Sequence, residues 1–308
     1  SKKALGISFF TALLFAIHPV QVETVCWISA SKIVLSTFFY LSALICYIQY
    51  MRNSKWQYLL ASVVSSILAM GCKEQSVIIV PCLLLFDWML FKRNMRSLKV
   101  YIEKVYYLIP AIAIFIVTLV ANKNTGEEII GYTIVDRFIF LCYSSFKYLL
   151  ISAIPFKLSY LYPFPFQVGE KIPMALWIYP FVILFIGYVI YLNRRKPLLV
   201  FCTLFFILHL LPVLHVIPLP RYVVAADRYL YIPYIAFAIG LSILSYHLYE
   251  RQRKWILYAG FLYCSYLCVY TAGYAPAWKN SDTLKEHFKE VLKKRETNLS
   301  INFKHEKQ

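Results

Sequence analysis

The chain is poor in charge, in acids above all. Only 15% of its 308 residues are charged, and the 32 Lys and Arg outnumber the 15 Asp and Glu. Soluble domains carry about 25% charge and about 45–50% apolar residues; here 60% are hydrophobic and 18% aromatic. Glycine is scarce too, at 9 residues. Apolar runs of membrane-spanning length recur, which excludes an ordinary soluble domain and indicates an integral α-helical membrane protein. The eight cysteines form no CxxC pair and no Cys/His zinc spacing. Most, such as Cys46, Cys82, Cys142, Cys202, Cys264 and Cys268, lie inside apolar runs and leave the compartment open. No internal repeat is visible. The opening SKKALGISFF lacks Met and lacks the basic-apolar-small pattern of a cleaved signal, so a fragment or a processed chain is expected.

What is abundant is positive charge, a net +17. A nucleic-acid role does not follow, because the cations sit in short loops. They are Arg52 and Lys55; Lys92, Arg93, Arg96, Lys99 and Lys104; Arg194, Arg195 and Lys196; and Arg251, Arg253 and Lys254, with most of the rest in the C-terminal tail. They mark alternate span junctions, as the positive-inside rule requires. With those loops cytoplasmic, spans are expected at 4–18, 33–50, 57–72, 76–91, 105–121, 174–193, 197–216, 229–248 and 255–273. The predicted fold class is all-α: a polytopic bundle of about nine spans, residues 1–273, with a helical tail, 274–308, on the outer side.

Region 122–173 breaks the pattern. The apolar run 138–155 carries Lys147, and a charge at mid-bilayer costs roughly 2.5–3.5 kcal/mol. Parity of the flanking spans puts both ends of the region outside. An interfacial or re-entrant helix is therefore expected on the outer face, followed by FKLSYLYPFPF as an aromatic loop at headgroup depth. In the tail, Asn280 or Ser281 is placed to cap a helix. Leu284, Phe288, Val291 and Leu292 make its apolar stripe.

Charges outside the basic loops then gather on the outer side. Pro19 ends the first span just after His18, so His18 falls at the rim, with Glu23, Trp27 and Lys32 following. Lys73 and Glu74 lie between two apolar runs with almost no loop. They read either as a hairpin ion pair or as a headgroup contact in which Glu74 orients Lys73. Arg137, Lys147 and Lys157 belong to the irregular region. RYVVAADRYLYIP sets Arg221, Asp227, Arg228 and Tyr229 at the head of a span, and arginine suits bidentate capture of phosphate. Such groups at a bilayer edge are costly unless paired or lining a wet cavity, which marks a candidate site. One His and one Glu do not close a metal-ligand set, so no metal is expected.

Five stretches carry a resemblance. HPVQVETVCWIS (18–29), AMGCKEQSVIIVPCLLLFDWM (69–89), FKYLLISAIPFKLSYLYPF (146–164), AADRYLYIPYIAFAIG (225–240) and WKNSDTLKEHFKEVL (278–292) together resemble, in order, the TMTC-type family. These are transmembrane proteins with tetratricopeptide repeats, similar to protein O-mannosyltransferases of the GT-C class. Lys73, Glu74, Pro81 and Asp87 match one motif. Gln21 stands where the family has a second His, and Ala30-Ser31-Lys32-Ile33 stands for its G-R-x-D. The resemblance implies transfer of a sugar, mannose, from a polyprenyl-phosphate donor to protein Ser/Thr on the outer face. The implied partners are the lipid-linked sugar, a protein acceptor and membrane lipid. The implied location is a bacterial inner membrane or the endoplasmic reticulum membrane, with the tail periplasmic or luminal. It implies a catalytic acid upstream of this chain. Among the residues present, Glu23 and His18 are the catalytic candidates. Lys73, Glu74, Arg137, Arg221, Asp227, Arg228 and Tyr229 are the donor-phosphate candidates. The alternatives are a non-catalytic scaffold for the repeats and a transporter or flippase of lipid-linked substrates.

Overall fold

The computed structural model describes residues 2–124, 131–159, 161–215, 223–251, 253–287 and 289. Eleven α-helices follow one another: α1 Lys2–Ile17, α2 Val22–Cys26, α3 Ser31–Asn53, α4 Trp56–Cys72, α5 Ile79–Met89, α6 Leu98–Asn124, α7 Ile134–Ala153, α8 Ile178–Leu192, α9 Pro197–Leu210, α10 Pro233–Arg251 and α11 Arg253–Tyr274. Among the described residues there is no strand. An isolated bridge pairs Tyr162 with Ala225.

Four helical stretches are long and apolar enough to cross a bilayer: Ile28–Asn53, Leu98–Val120, Met174–Leu192 and Trp255–Trp278. A fifth is gained if Lys2–Ile17 and Pro19–Cys26, bent by 55°, count as one broken span. Trp56–Cys72 and Pro197–Val213 are apolar but shorter. The expected run 76–91 divides into a 3-10 turn, Glu74–Ile78, and the 11-residue α5. This is an all-helical membrane protein by length and composition of its helices.

The helices pack through large core side chains such as Leu14, Tyr40, Leu83 and Phe140, and also through small and hydroxylated residues. Without water to expel, close approach of backbones and interhelical hydrogen bonds supply the attraction. Between α3 and α4, Ser62 donates to the Ala43 carbonyl at 2.7 Å and Ser36 to that of Ala69 at 2.9 Å. Tyr107 of α6 donates to Ser62 at 2.8 Å. Thr11 of α1 donates to Ser242 of α10 at 3.0 Å. His209 of α9 spends both ring nitrogens, one on the Phe205 carbonyl and one on the Tyr40 hydroxyl, each at 2.8 Å. Large side chains such as Leu5, Phe9, Phe181 and Phe261 remain exposed on the outside, as a lipid-facing surface would have them.

At the C-terminal end of α3 the structure joins two acids to two bases. Asp87 of α5, fully buried, accepts from Tyr47 at 2.5 Å and from Lys104 of α6 at 2.6 Å. Arg93 holds Glu103 by two bonds, 2.5 and 3.1 Å, and reaches Asp87 at 3.3 Å. Tyr50 donates to Glu103 at 3.2 Å. Arg93 and Lys104, which the charge pattern assigns to a cytoplasmic loop, are both paired to carboxylates. Both are neutralised inside the bundle, because a carboxylate carried into an apolar helix needs a cation beside it.

The loop after α7 packs into the bundle. Leu158, Ser159, Tyr162 and Phe166 are buried. Tyrosines of α11 tie it down: Tyr263 donates to Ala153 O at 2.8 Å and Tyr270 accepts from Leu158 N–H at 3.1 Å, while Tyr266 bonds Pro155 O. α7 is a 20-residue helix with Asp136, Phe140, Tyr148 and Ser152 buried along it. In the tail, Asn280 Oδ1 accepts from the Thr283 and Asp282 amides at 2.8 and 3.1 Å, capping helix 281–287. The rest of the predicted stripe, Phe288, Val291 and Leu292, lies outside the described side chains.

Candidate functional site

The opposite end of the bundle, around the N-terminus of α3, gathers most of the candidate residues. α3 is 23 residues long, about 35 Å at 1.5 Å per residue, and separates this end from the Asp87 network. Pro19 forces the chain out of α1, and His18 caps the resulting 3-10 turn by accepting from the Val20 N–H at 3.3 Å. The His18 ring lies on Tyr234 with centroids 4.3 Å apart. The His18 side chain is fully buried. His18 is thus engaged in shaping the turn and does not touch Glu23 through any recorded bond.

Glu23 on α2 is fully buried. Its partner is Arg228, 205 positions away, which donates its backbone N–H at 2.9 Å and ion-pairs through the guanidinium. Burial pushes the Glu23 carboxyl up, and the Arg228 charge pulls against that. The Arg228 side chain keeps 21% of its surface exposed. Its guanidinium lies 5.4 Å from the Trp27 ring and 5.0 Å from that of Tyr229. The cation therefore presents an open side between two aromatic rings while its rear is anchored by a buried carboxylate.

Asp227, beside it on a 3-10 turn, accepts from Tyr162 at 2.8 Å through one oxygen. The other oxygen, buried, has no hydrogen-bond partner among the described residues. Burial, with the nearby Glu23 adding to it, holds this carboxyl well above the ordinary carboxylate range. Lys147 of α7 sits 3.7 Å above the Tyr162 ring. Tyr148 of α7 accepts here: its hydroxyl takes the Ala226 N–H at 3.2 Å and fixes the segment before Asp227. The Val224 N–H to Tyr162 O bond, 2.9 Å, completes the frame.

Around this pair of acids, further buried polar atoms lack partners among the described residues: the Gln21 amide, the Thr24 hydroxyl and the Tyr234 hydroxyl. Buried polar groups are nearly always hydrogen-bonded, and those that are not call for an explanation such as a ligand or an ordered water.

Lys73 and Glu74 form an ion pair at 2.5 Å, with Glu74 44% exposed. Burial would raise the Glu74 carboxyl, but Lys73 and the nearby Lys32 outweigh it and hold it low. The pair joins adjacent positions in the hairpin, with Lys32 nearby as a second cation. Arg137 stands apart: its Nε donates to the Tyr132 carbonyl at 3.2 Å, ten residues up α7 from Lys147. Arg221 lies outside the described residues. No group of three His, Cys, Asp or Glu that could hold a metal occurs among the described residues.

Sequence reasoning did not single out Tyr162, Thr24 and Tyr234, and it named Gln21 only as a departure from a motif. The available signal was weak: polar residues at the edge of apolar runs, whose convergence depends on a bridge between distant loops.

The fold and the site define a polytopic helical protein with a buried, incompletely paired ionic cluster at one end. No protein-family model, curated protein or solved structure matches the chain.

Proposed function

We propose that this chain is the membrane part of a GT-C-like glycosyltransferase of about nine spans, acting at the His18 end. It would move mannose from a polyprenyl-phosphate donor to a protein Ser/Thr hydroxyl. The observation that carries this reading is Arg228: part-exposed, anchored from behind by buried Glu23, flanked by Trp27 and Tyr229, and set among polar atoms that lack partners among the described residues. A guanidinium so held is pre-oriented for the phosphodiester of the donor and for the phosphate monoester it leaves. In the transfer, the acceptor oxygen bonds the anomeric carbon as the carbon–oxygen bond to phosphate breaks. The electron pair leaves on the phosphate, and the hydroxyl proton passes to a carboxylate base. Arg228 would bind the departing charge, and fixed charges aimed at a developing charge supply the largest catalytic effects. Glu23 is then a positioning residue rather than the base. The tail, 274–308, would lie on the same periplasmic or luminal side.

A scaffold for repeats is the second reading, favoured by the closed Glu23–Arg228 pair, which already satisfies both charges. Transfer of radiolabelled mannose from polyprenyl phosphate to membrane-protein acceptors separates the two. Arg228→Ala should lower transfer about 100-fold, in line with loss of one transition-state donor. Transfer unchanged in that variant would remove Arg228 from the mechanism, and no transfer by folded wild type would favour the scaffold.

A further inference from the structure

At the Asp87 end, α5 and α9 leave an open groove with a cavity volume of about 430 Å³. Pro81, Leu85 and Trp88 of α5 face Leu204 and Ile207 of α9, and Met95 closes one end; all nine lining residues are apolar. The volume lies in the range of small-ligand clefts, roughly 300–1,000 Å³. The two stripes repeat at i, i+4, i+7 and i, i+3, so the groove runs along the helices as a hydrocarbon chain would.

Its Met95 end is not apolar for long. Tyr101 donates to the Met95 carbonyl at 2.9 Å and the Arg96 N–H to Asn94 Oδ1 at 3.0 Å, which shapes the loop. Lys92, Arg96 and Lys99 project from it exposed, and they form no ion pair among the described residues. Arg93 and Lys104 are already taken by Asp87 and Glu103. α9 starts at Pro197 just after Arg195 and Lys196, both exposed, and the Phe86–Phe201 ring contact at 5.3 Å brings that start beside the C-terminal half of α5. Free cations therefore stand at the same end of the bundle as the mouth of an apolar groove.

We infer that this groove is a binding site for an anionic glycerophospholipid, one acyl chain lying between α5 and α9 and the phosphate headgroup held by Arg96 with Lys92. Charge complementarity selects the headgroup, since exposed basic residues at a membrane surface attract anionic lipid. The site is independent of the transferase reading, because none of its lining residues belongs to the Arg228 cluster.

The test uses the whole purified protein in detergent, titrated with phosphatidylglycerol or phosphatidylcholine of identical chains, with bound lipid counted by native mass spectrometry. Phosphatidylglycerol should bind at least about 10-fold tighter. Arg96→Ala with Lys92→Ala, both exposed positions, should abolish that preference and leave the unfolding temperature without lipid unchanged. Ile207→Trp, which fills the groove from a half-exposed position, should weaken both lipids. Equal binding of the two headgroups would overturn the proposal. So would a preference that survives the double variant, or polyprenyl phosphate outcompeting phosphatidylglycerol here.

Discussion

Two buried ionic clusters sit at opposite ends of α3, and they differ in how completely they are paired. In the Asp87 cluster two carboxylates face two cations, and every charged oxygen has a donor. In the Glu23 cluster two carboxylates are buried with one tightly paired arginine. Among the described residues, one Asp227 oxygen and neighbouring polar atoms of Gln21, Thr24 and Tyr234 lack partners. A closed network fixes helices relative to one another. An incompletely satisfied one is a poor stabiliser and a good place for a ligand. The same residue types thus have different uses, and the count of satisfied hydrogen bonds tells them apart.

The largest effect should come from breaking the closed cluster. Asp87→Asn leaves Lys104 and Arg93 without their shared carboxylate, and uncompensated buried charge costs about 3–5 kcal/mol. Thermal unfolding in detergent should show a large fall in Tm or loss of folded protein. A Tm equal to wild type would mean that the Asp87 end is not the clamp.

Next comes Arg228→Ala. It strands Glu23, but that carboxyl is already pushed upward by burial and can take a proton instead. The expected loss is smaller, about 1–3 kcal/mol, the scale of a hydrogen bond to a charged group. Adding Glu23→Gln should return part of it, and a double variant no more stable than Arg228→Ala would contradict that coupling.

The smallest effect, with the opposite sign, belongs to Asp227→Asn. The native Asp227 carboxyl holds its proton more tightly than an unfolded one, whose value is about 3.9. Its contribution is therefore fully present below about pH 3.9 and is lost as pH rises through the raised native value. The amide does not suffer this loss. The variant should match wild type near pH 4 and exceed it by a few degrees of Tm near pH 8. A variant less stable at pH 8 than at pH 4, relative to wild type, would show that Asp227 is stabilised as a charge. Equivalent amide substitutions at the two aspartates thus probe the contrast directly.

Much of this arrangement can be read from the chain. The apolar runs mark the helices, Pro19 ends α1, and Asn280 caps the tail helix, because each rests on local chemistry. The grouping of His18, Glu23, Asp227 and Arg228 follows from helix parity. Which of them pair does not, since Glu23 and Arg228 are 205 residues apart. The Asp87 network escaped for a related reason. Its partners lie 6, 17 and 40 positions away, and Arg93 and Lys104 fit the pattern of topology-setting cations. Asp87 inside an apolar run was the available clue, because a lone carboxylate at that depth requires a cation. The short helices α5 and α9 were likewise expected at full span length, and only packing shows where each begins.

The most direct measurement is equilibrium binding of radiolabelled polyprenyl phosphate to the purified protein, comparing wild type, Arg228→Ala and Arg96→Ala. Loss of a charge-assisted contact at the His18 end should weaken binding about 10-fold or more in Arg228→Ala, while Arg96→Ala binds as wild type does. Equal binding by Arg228→Ala and wild type would contradict the assignment of the incompletely paired cluster as the phosphate site.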